Sequence, residues 1–412
     1  MRLDQYTTLD RAKYYKASTR TDIFYLDLSA LKPMFVTPTY TTGTIDVTNG
    51  DATIVGNGTA FLANIAAGDR LRLGTVNSGA FASQIWYTVL SVTDNTHLEL
   101  TVNYAESTLA TQVYTIRLVY NGGTTNYWDS CEFTDNSLGR IWIATNGVDP
   151  IQYWAATNQM VTLTGSPPLA KFVLPLLDRL FLGWCVVGGL NQPHQVQWSA
   201  AGLGTSWPGA NVEYLIDMPG ELAGFATLGN YAVAIKEAGF YLGRYIDADT
   251  TFDFEARDRS HGCLSPWSVV EVEGGLYYFG DDLRFHYWDG VQDRPVSDDI
   301  LPFTRNLDPD GQRYCYGLHI KALKQIRWFV STSDTPFTHV LVYNYGTTPA
   351  GWQIWPHGTI AHLGVPGLVE LQTNLFVDDS VWGPRYVDGF IGFWDDREFL
   401  ARRGCPRREV IN

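Results

Sequence analysis

His261 sits in Arg257-Asp-Arg-Ser-His-Gly262, a run that places a carboxylate, a hydroxyl and an imidazole within four residues. Those residue types can pass a proton between a nucleophile and a base. The same run also reads as a turn whose polar groups satisfy one another. Upstream, Asp247, Asp249, Asp253, Glu255 and Asp258 crowd one segment. Alternation on a strand would put several of them on one face, where oxygen ligands would suit Ca²⁺. The competing reading is an acidic, exposed strand and loop. His194 follows Asn191-Gln-Pro and is expected in a loop. Asp281-Asp282 and Asp298-Asp299 read as loop carboxylates, and Asp308-Pro-Asp-Gly311 as a turn. Asn57-Gly-Thr59 is a chance glycosylation sequon in a hairpin. No phosphate-binding loop, H-E-x-x-H, G-x-S-x-G or EF-hand loop is present, and the eight histidines form no ligand-like pair. The sequence therefore assigns no catalytic, cofactor-binding or metal-ligating residue, and no cofactor.

The elements that would carry these residues are strands. Short runs rich in Val, Ile, Thr, Tyr, Phe and Trp are broken by Gly, Asn and Asp, which is the strand-and-turn pattern. Only two short stretches, Leu9–Lys16 and Lys321–Gln325, read as helix. Residues 41–119 stand apart. Ile45-Asp-Val47 and Thr53-Ile-Val55 flank the turn dipeptide Asn49-Gly50. Five or six short strands in this stretch predict a small closed barrel, since closure removes exposed edges.

From about residue 120 a different unit repeats, with starts at 141, 180, 231, 275, 326 and 386. In each, one strand ends in a turn and a second ends on aromatics or Asp-Gly. Spacings of this size mark propeller blades, which bury both faces only by stacking on neighbours. The predicted fold is all-β: a β-propeller of five to seven blades with an inserted small β-barrel. Residues 1–40 form an N-terminal segment that could share in propeller closure. Residues 41–119 form the barrel, 120–396 the propeller and 397–412 a basic tail. A pair of β-sandwiches is the alternative.

Composition narrows the function. Net charge is −14, which argues against a nucleic-acid grip by the whole surface. Residues 1–20 and 397–412 together carry ten basic and four acidic residues, so the body between them carries −20. Basic ends on an acidic body could dock such bodies to one another, or could be solvated termini. The five cysteines are far apart, odd in number and without C-x-x-C, and are expected as reduced, packed side chains. The opening MRLDQYTTLD has no apolar core, so no secretory signal is expected and folding is expected in the cytoplasm.

The stretch IWIATNGVDPIQYW at Ile141–Trp154 resembles a blade signature of bacteriophage tail proteins of the nozzle and DNA-stabilisation type. VQWSAAGLGTSW at Val196–Trp207 looks like the next signature. AIKEAGFYL at Ala234–Leu242, Gly262-Cys-Leu-Ser-Pro-Trp267, Gly275–Phe279 and Tyr287-Trp-Asp-Gly290 follow in the same order. Gly43–Asp69 resembles a small barrel module of phage virion proteins. This resemblance implies a homo-oligomeric ring, expected to be sixfold, in the virion tail. It would contact portal or adaptor proteins and fibres or a needle. It would line the exit channel and retain DNA without sequence-specific binding, and it would not be an enzyme. An acidic lining suits such a channel, because it lets the duplex slide. The alternative is a carbohydrate-binding or glycan-cleaving propeller acting in host recognition. The Asp box of sialidase-like blades is only echoed at Ser199–Trp207, where its Asp is missing.

Overall fold

The computed structural model describes residues 2–19, 21–27, 32–75, 85–122, 127–156, 159–247, 251–258, 261–333, 338–347, 349–356, 361–363 and 371–373. The repeat expected at 386, the basic tail at 397–412, Cys405 and Asp249 lie outside the described residues. Two compact units divide the chain. One comprises Met1–Thr124 with Ala156–Val161, and the other Thr125–Ala155 with Thr162–Phe376.

The first unit opens with β1 (Arg2–Thr7), β2 (Lys13–Ser18), β3 (Ile23–Asp27) and β4 (Lys32–Phe35), an antiparallel meander in chain order. The helix expected at Leu9–Lys16 is instead a turn running into β2. Arg11 adopts a left-handed φ of 69°, and Tyr14-Tyr15 favours the extended chain. The expected solvated or docking start is a paired strand, and Lys16 is wholly buried, its Nζ 5.6 Å from the centre of the Tyr25 ring. Burial holds this amine well below the usual lysine range.

Next come β5 (Thr39–Tyr40), β6 (Thr44–Val47), β7 (Thr53–Asn57), β8 (Arg70–Leu73), β9 (Tyr87–Val92), β10 (His97–Leu100), β11 (Leu109–Gln112) and β12 (Tyr114–Arg117). They form one eight-stranded sheet in the order β11-β6-β7-β10-β9-β8-β12-β5. β11 and β5 end this order and are not paired with each other among the described residues. Alternation governs several of these strands. Ile45, Val47, Ile54, Leu98 and Leu100 point into a single core, while Asp46 and Val55 face out. Arg117 at the end of β12 pairs with Asp22 at 3.3 Å, both nearly fully buried, and its guanidinium lies over the rings of Trp86 and Phe35.

The second unit is built of four-stranded antiparallel meanders, again in chain order. The first is β13 (Asp129–Asp135), β14 (Gly139–Thr145), β15 (Gln152–Trp154) and β16 (Val161–Thr162). The second is β17 (Leu169–Leu176), β18 (Arg179–Val187), β19 (Leu190–Trp198) and β20 (Val212–Tyr214). The third is β21 (Leu222–Leu228), β22 (Tyr231–Lys236), β23 (Gly239–Tyr245) and β24 (Phe252–Asp258). The fourth is β25 (Val270–Val272), β26 (Gly275–Phe279), β27 (Phe285–Trp288) and β28 (Asp293–Pro295). The fifth is β29 (Tyr316–Ile320), β30 (Gln325–Val330), β31 (His339–Asn344) and β32 (Gly351–Pro356). A two-stranded piece, β33 (Ala361–Leu363) with β34 (Leu371–Thr373), follows. The helix expected at Lys321–Gln325 is a single 3-10 turn, Lys321–Leu323, after which Lys324 turns left-handed and β30 begins.

The first strands of successive meanders pack on one another, β13 on β17, β17 on β21, β21 on β25 and β25 on β29. That is how blades meet around a propeller axis. The fold is thus all-β and a β-propeller, with six four-stranded meanders among the described residues, within the expected five to seven. Blades are stitched by specific bonds. Asp129 Oδ2 accepts from the Val173 N–H at 2.9 Å, Thr227 Oγ1 donates to Glu271 at 2.7 Å, and Trp328 Nε1 donates to the Ser268 carbonyl at 2.8 Å. Gly262 approaches the neighbouring blade so closely that an added Cβ would lie 1.6 Å from the Glu237 carbonyl oxygen. Cys185, Cys263 and Cys315 are buried, as expected of packed thiols. Burial pushes the Cys185 and Cys263 thiols up to about 12 and Cys315 well above its ordinary value.

Candidate functional site

Among the described residues, a cluster of titratable side chains surrounds the β26–β27 hairpin. Tyr278 and His286 are cross-strand partners with stacked rings 5.3 Å apart. A short loop joins the two strands, closed by the Gly280 N–H bonded to the Arg284 carbonyl at 2.8 Å, with Leu283 left-handed at φ 65°. The loop carries Asp281 and Asp282, and Asp293 opens the adjacent β28. His286 is 1% exposed and held at both ring nitrogens, Nδ1 with Asp293 at 2.7 Å and Nε2 with Asp282 at 2.9 Å. Tyr278 donates its hydroxyl to the second oxygen of Asp293 at 2.9 Å.

His261 reaches this cluster from outside the hairpin. Cys263 bridges to Gly280, and the Asp281 N–H donates to the Gly262 carbonyl at 3.1 Å. These backbone links bring the His261 ring to 4.7 Å from that of His286, and its Nδ1 to 3.0 Å from Asp281. Arg284 pairs with Asp282 at 3.0 Å and with Asp298 at 2.9 Å.

Two opposing effects set the state of His286. Burial disfavours its charged form, but the hydrogen bonds to Asp293 and Asp282 outweigh burial and hold its pKa above the usual histidine value. Burial likewise pushes Asp282 up, and its bonds to His286 and Arg284 more than compensate, leaving it below the usual carboxylate range. An imidazole committed at both nitrogens is a clamp between strands rather than a general base. His261, by contrast, is partly exposed. Its ligand atoms and those of Asp281 and Asp282 lie within 4.8 Å of one another, as do those of His261, His286 and Asp293.

The sequence singled out His261, Asp281-Asp282 and Asp298 separately, and the fold brings them together. It did not single out His286 or Asp293. The available signal was Asp282 and His286 four residues apart across a tight hairpin, with an aromatic on either side of the histidine. The local run at Arg257–Gly262 does not act as a unit. Arg257 pairs with Glu255 at 2.8 Å, and Ser260 lies outside the described residues. Asp253 and Glu255 project from β24 between arginines, with Asp253 3.5 Å from Arg244, so these two carboxylates are met by cations rather than converging as ligands. His194 is on strand β19, not in a loop, 3.4 Å from the Nζ of Lys236. That lysine is buried and donates to the carbonyls of Leu215 and Met218 at 2.7 and 2.5 Å. Burial lowers its pKa against the pull of Glu237 and Asp217. Asp308 forms the expected turn, its Oδ2 accepting from the Gly311 N–H at 2.7 Å.

Among the described residues, no helix is long and apolar enough to cross a membrane. No family model matches the chain, and no curated protein matches its sequence. Solved structures do align with it at low identity. YCF48 from Cyanidioschyzon merolae is 10% identical over 78% of this chain and 97% of its own, with a TM-score of 0.31. Apo AztD from Citrobacter koseri is 10% identical over 82% of each chain, with a TM-score of 0.34. The endosialidase of phage phi92 is 14% identical over 78% of this chain and 52% of its own, with a TM-score of 0.23. At these scores none of the three bears on function.

Proposed function

We propose that this chain is a structural subunit of a bacteriophage tail, a nozzle-type ring component that lines the DNA exit channel and anchors neighbouring tail parts, without enzymatic activity. One observation carries this reading: the motifs that resemble phage tail proteins fall, in order, on the blade strands and on the turns and connections that follow them. IWIATNGVDPIQYW is β14, its turn and β15, and Asn146 Oδ1 closes that turn by accepting from the Val148 and Asp149 N–H groups. AIKEAGFYL joins β22 to β23. Gly262–Trp267 leads into β25 and meets the neighbouring blades through Gly262 and through Ser265, which donates to the Cys315 carbonyl at 2.8 Å. Residues of this kind build blades rather than sites. The acidic body supports passage of DNA without capture. The carbohydrate reading has less support, because the Asp-box echo at Ser199–Trp207 lacks its Asp; Trp142, Trp154, Trp288 and Trp328 are buried, while Trp355 and Tyr245 keep exposed rings.

The test is electron microscopy and mass measurement of the purified protein and of the particle that carries it. A closed ring within a tail, expected sixfold, supports the proposal. A stable monomer absent from any particle refutes it, and specific glycan binding or cleavage would favour the carbohydrate reading.

A further inference from the structure

The cluster at the β26–β27 loop goes beyond a structural reading. We propose that His261, Asp281 and Asp282 bind a divalent transition-metal ion. Their ligand atoms already lie within 4.8 Å of one another, a spread that one ion with bonds of about 2.0–2.2 Å can gather with small side-chain adjustment. One imidazole with two carboxylates is a nitrogen and oxygen set that suits Zn²⁺ or Mn²⁺ rather than Ca²⁺, which takes oxygen ligands. His261 and Asp281 are partly exposed, so water can complete the coordination. The 3.0 Å contact between His261 Nδ1 and Asp281 is then replaced by two bonds to the ion.

Charge points the same way. Asp281, Asp282, Asp293 and Asp298 surround a single permanent cation, Arg284, so carboxylates outnumber fixed cations, an excess that a divalent ion would offset. The ligands are also positioned. Asp282 is oriented from behind by His286 Nε2 and Arg284, the kind of support that fixes ligating carboxylates. Asp281 and His261 are registered by the backbone bond from Asp281 to Gly262. His97, whose ring meets Asp94 at 3.1 Å in the first unit, lacks any third ligand of this kind among the described residues and serves as the internal control.

The experiment is titration calorimetry of the full chain with ZnCl₂ and, separately, MnCl₂. Saturable binding of one ion per chain is expected, weakened at least about tenfold by His261→Ala and by Asp281→Asn, and unchanged by His97→Ala. Anomalous diffraction from zinc-soaked crystals of the unaltered protein should place the ion between His261, Asp281 and Asp282. That measurement decides the matter even if a variant does not fold. Absence of saturable binding at millimolar metal, binding that both variants leave intact, or an anomalous peak elsewhere overturns the proposal.

Discussion

The eight-stranded sheet and the blades solve the same burial problem in opposite ways. In the sheet, strands such as β6, β7 and β10 alternate between one core and the outside, so Ile54 is buried and its neighbour Val55 is exposed. In the blades, the second strand is covered on both faces. Val233, Ala234 and Ile235 of β22 are each fully buried, as are Ile143 and Ala144 of β14. The difference teaches that strand burial here follows position within a stack. A strand with a blade on either side has no outward face, so an unbroken apolar run is its signature.

The largest expected effect tests this contrast directly. Val233→Asp, Ala234→Asp and Ile54→Asp should each destabilise by about 4 kcal/mol or more, whereas Val55→Asp should change stability by less than about 0.5 kcal/mol. Urea unfolding of the four variants checks it, and tolerance of Ala234→Asp would break the comparison. Next, Arg117→Met leaves Asp22 buried without its cation and should cost about 3–5 kcal/mol, read as a shifted urea midpoint. A smaller step separates two glycines. Gly262→Ala meets the Glu237 carbonyl and should cost about 3 kcal/mol. Gly50→Ala in the turn between β6 and β7 has nothing within 4 Å and only a φ of 82° to oppose it, so about 1 kcal/mol is expected by thermal melting.

The remaining predictions concern pH dependence. Burial pushes the Glu213 carboxyl of β20 up to about 7; the Phe254 N–H pulls it down, and Asp253 and Asp217 push it up further. Its folded value exceeds its unfolded one, so the folded state holds the extra proton and stability falls as pH rises through about 4.5 to 7. Glu213→Gln should flatten that slope. Asp94, beside β10, is held near 2 by the Thr96 N–H and hydroxyl. Its contribution is present above the unfolded carboxylate value and is lost as pH falls towards 2, so Asp94→Asn should flatten the opposite slope. Denaturant midpoints measured across pH 2 to 8 would register both.

Much of the fold was legible because the central blade strands are so apolar. The repeat starts read at 141, 180, 231, 275 and 326 fall on β14, β18, β22, β26 and β30, the second strand of every blade in the second unit. The outer strands left little trace. β16, β20 and β28 are two or three residues long and hold no fully buried residue, so neither length nor patterning marks them. The first meander was illegible for another reason: its second strand carries Lys13 and Lys16, and nothing local announces that Lys16 is buried. In the eight-stranded sheet, β5 and β11 were missed because β5 is only two residues and β11, Leu109–Gln112, lies largely exposed. The site was legible in pieces. His261 and the paired aspartates could be named, but their meeting depends on the Cys263–Gly280 bridge, a tertiary contact with no sequence pattern of its own.

The strand orders also carry a kinetic consequence. Each blade pairs only strands that follow one another along the chain, so its hydrogen bonds close short loops and can form as soon as its own residues have left the ribosome. In the eight-stranded sheet Tyr40 of β5 pairs with Ile116 of β12, and β8, paired on one side with β9, gains its other neighbour only from the same β12. That sheet leaves β5 without its neighbour, and β8 without its second, until the final strand is made, which makes it the slower-forming part of the nascent chain.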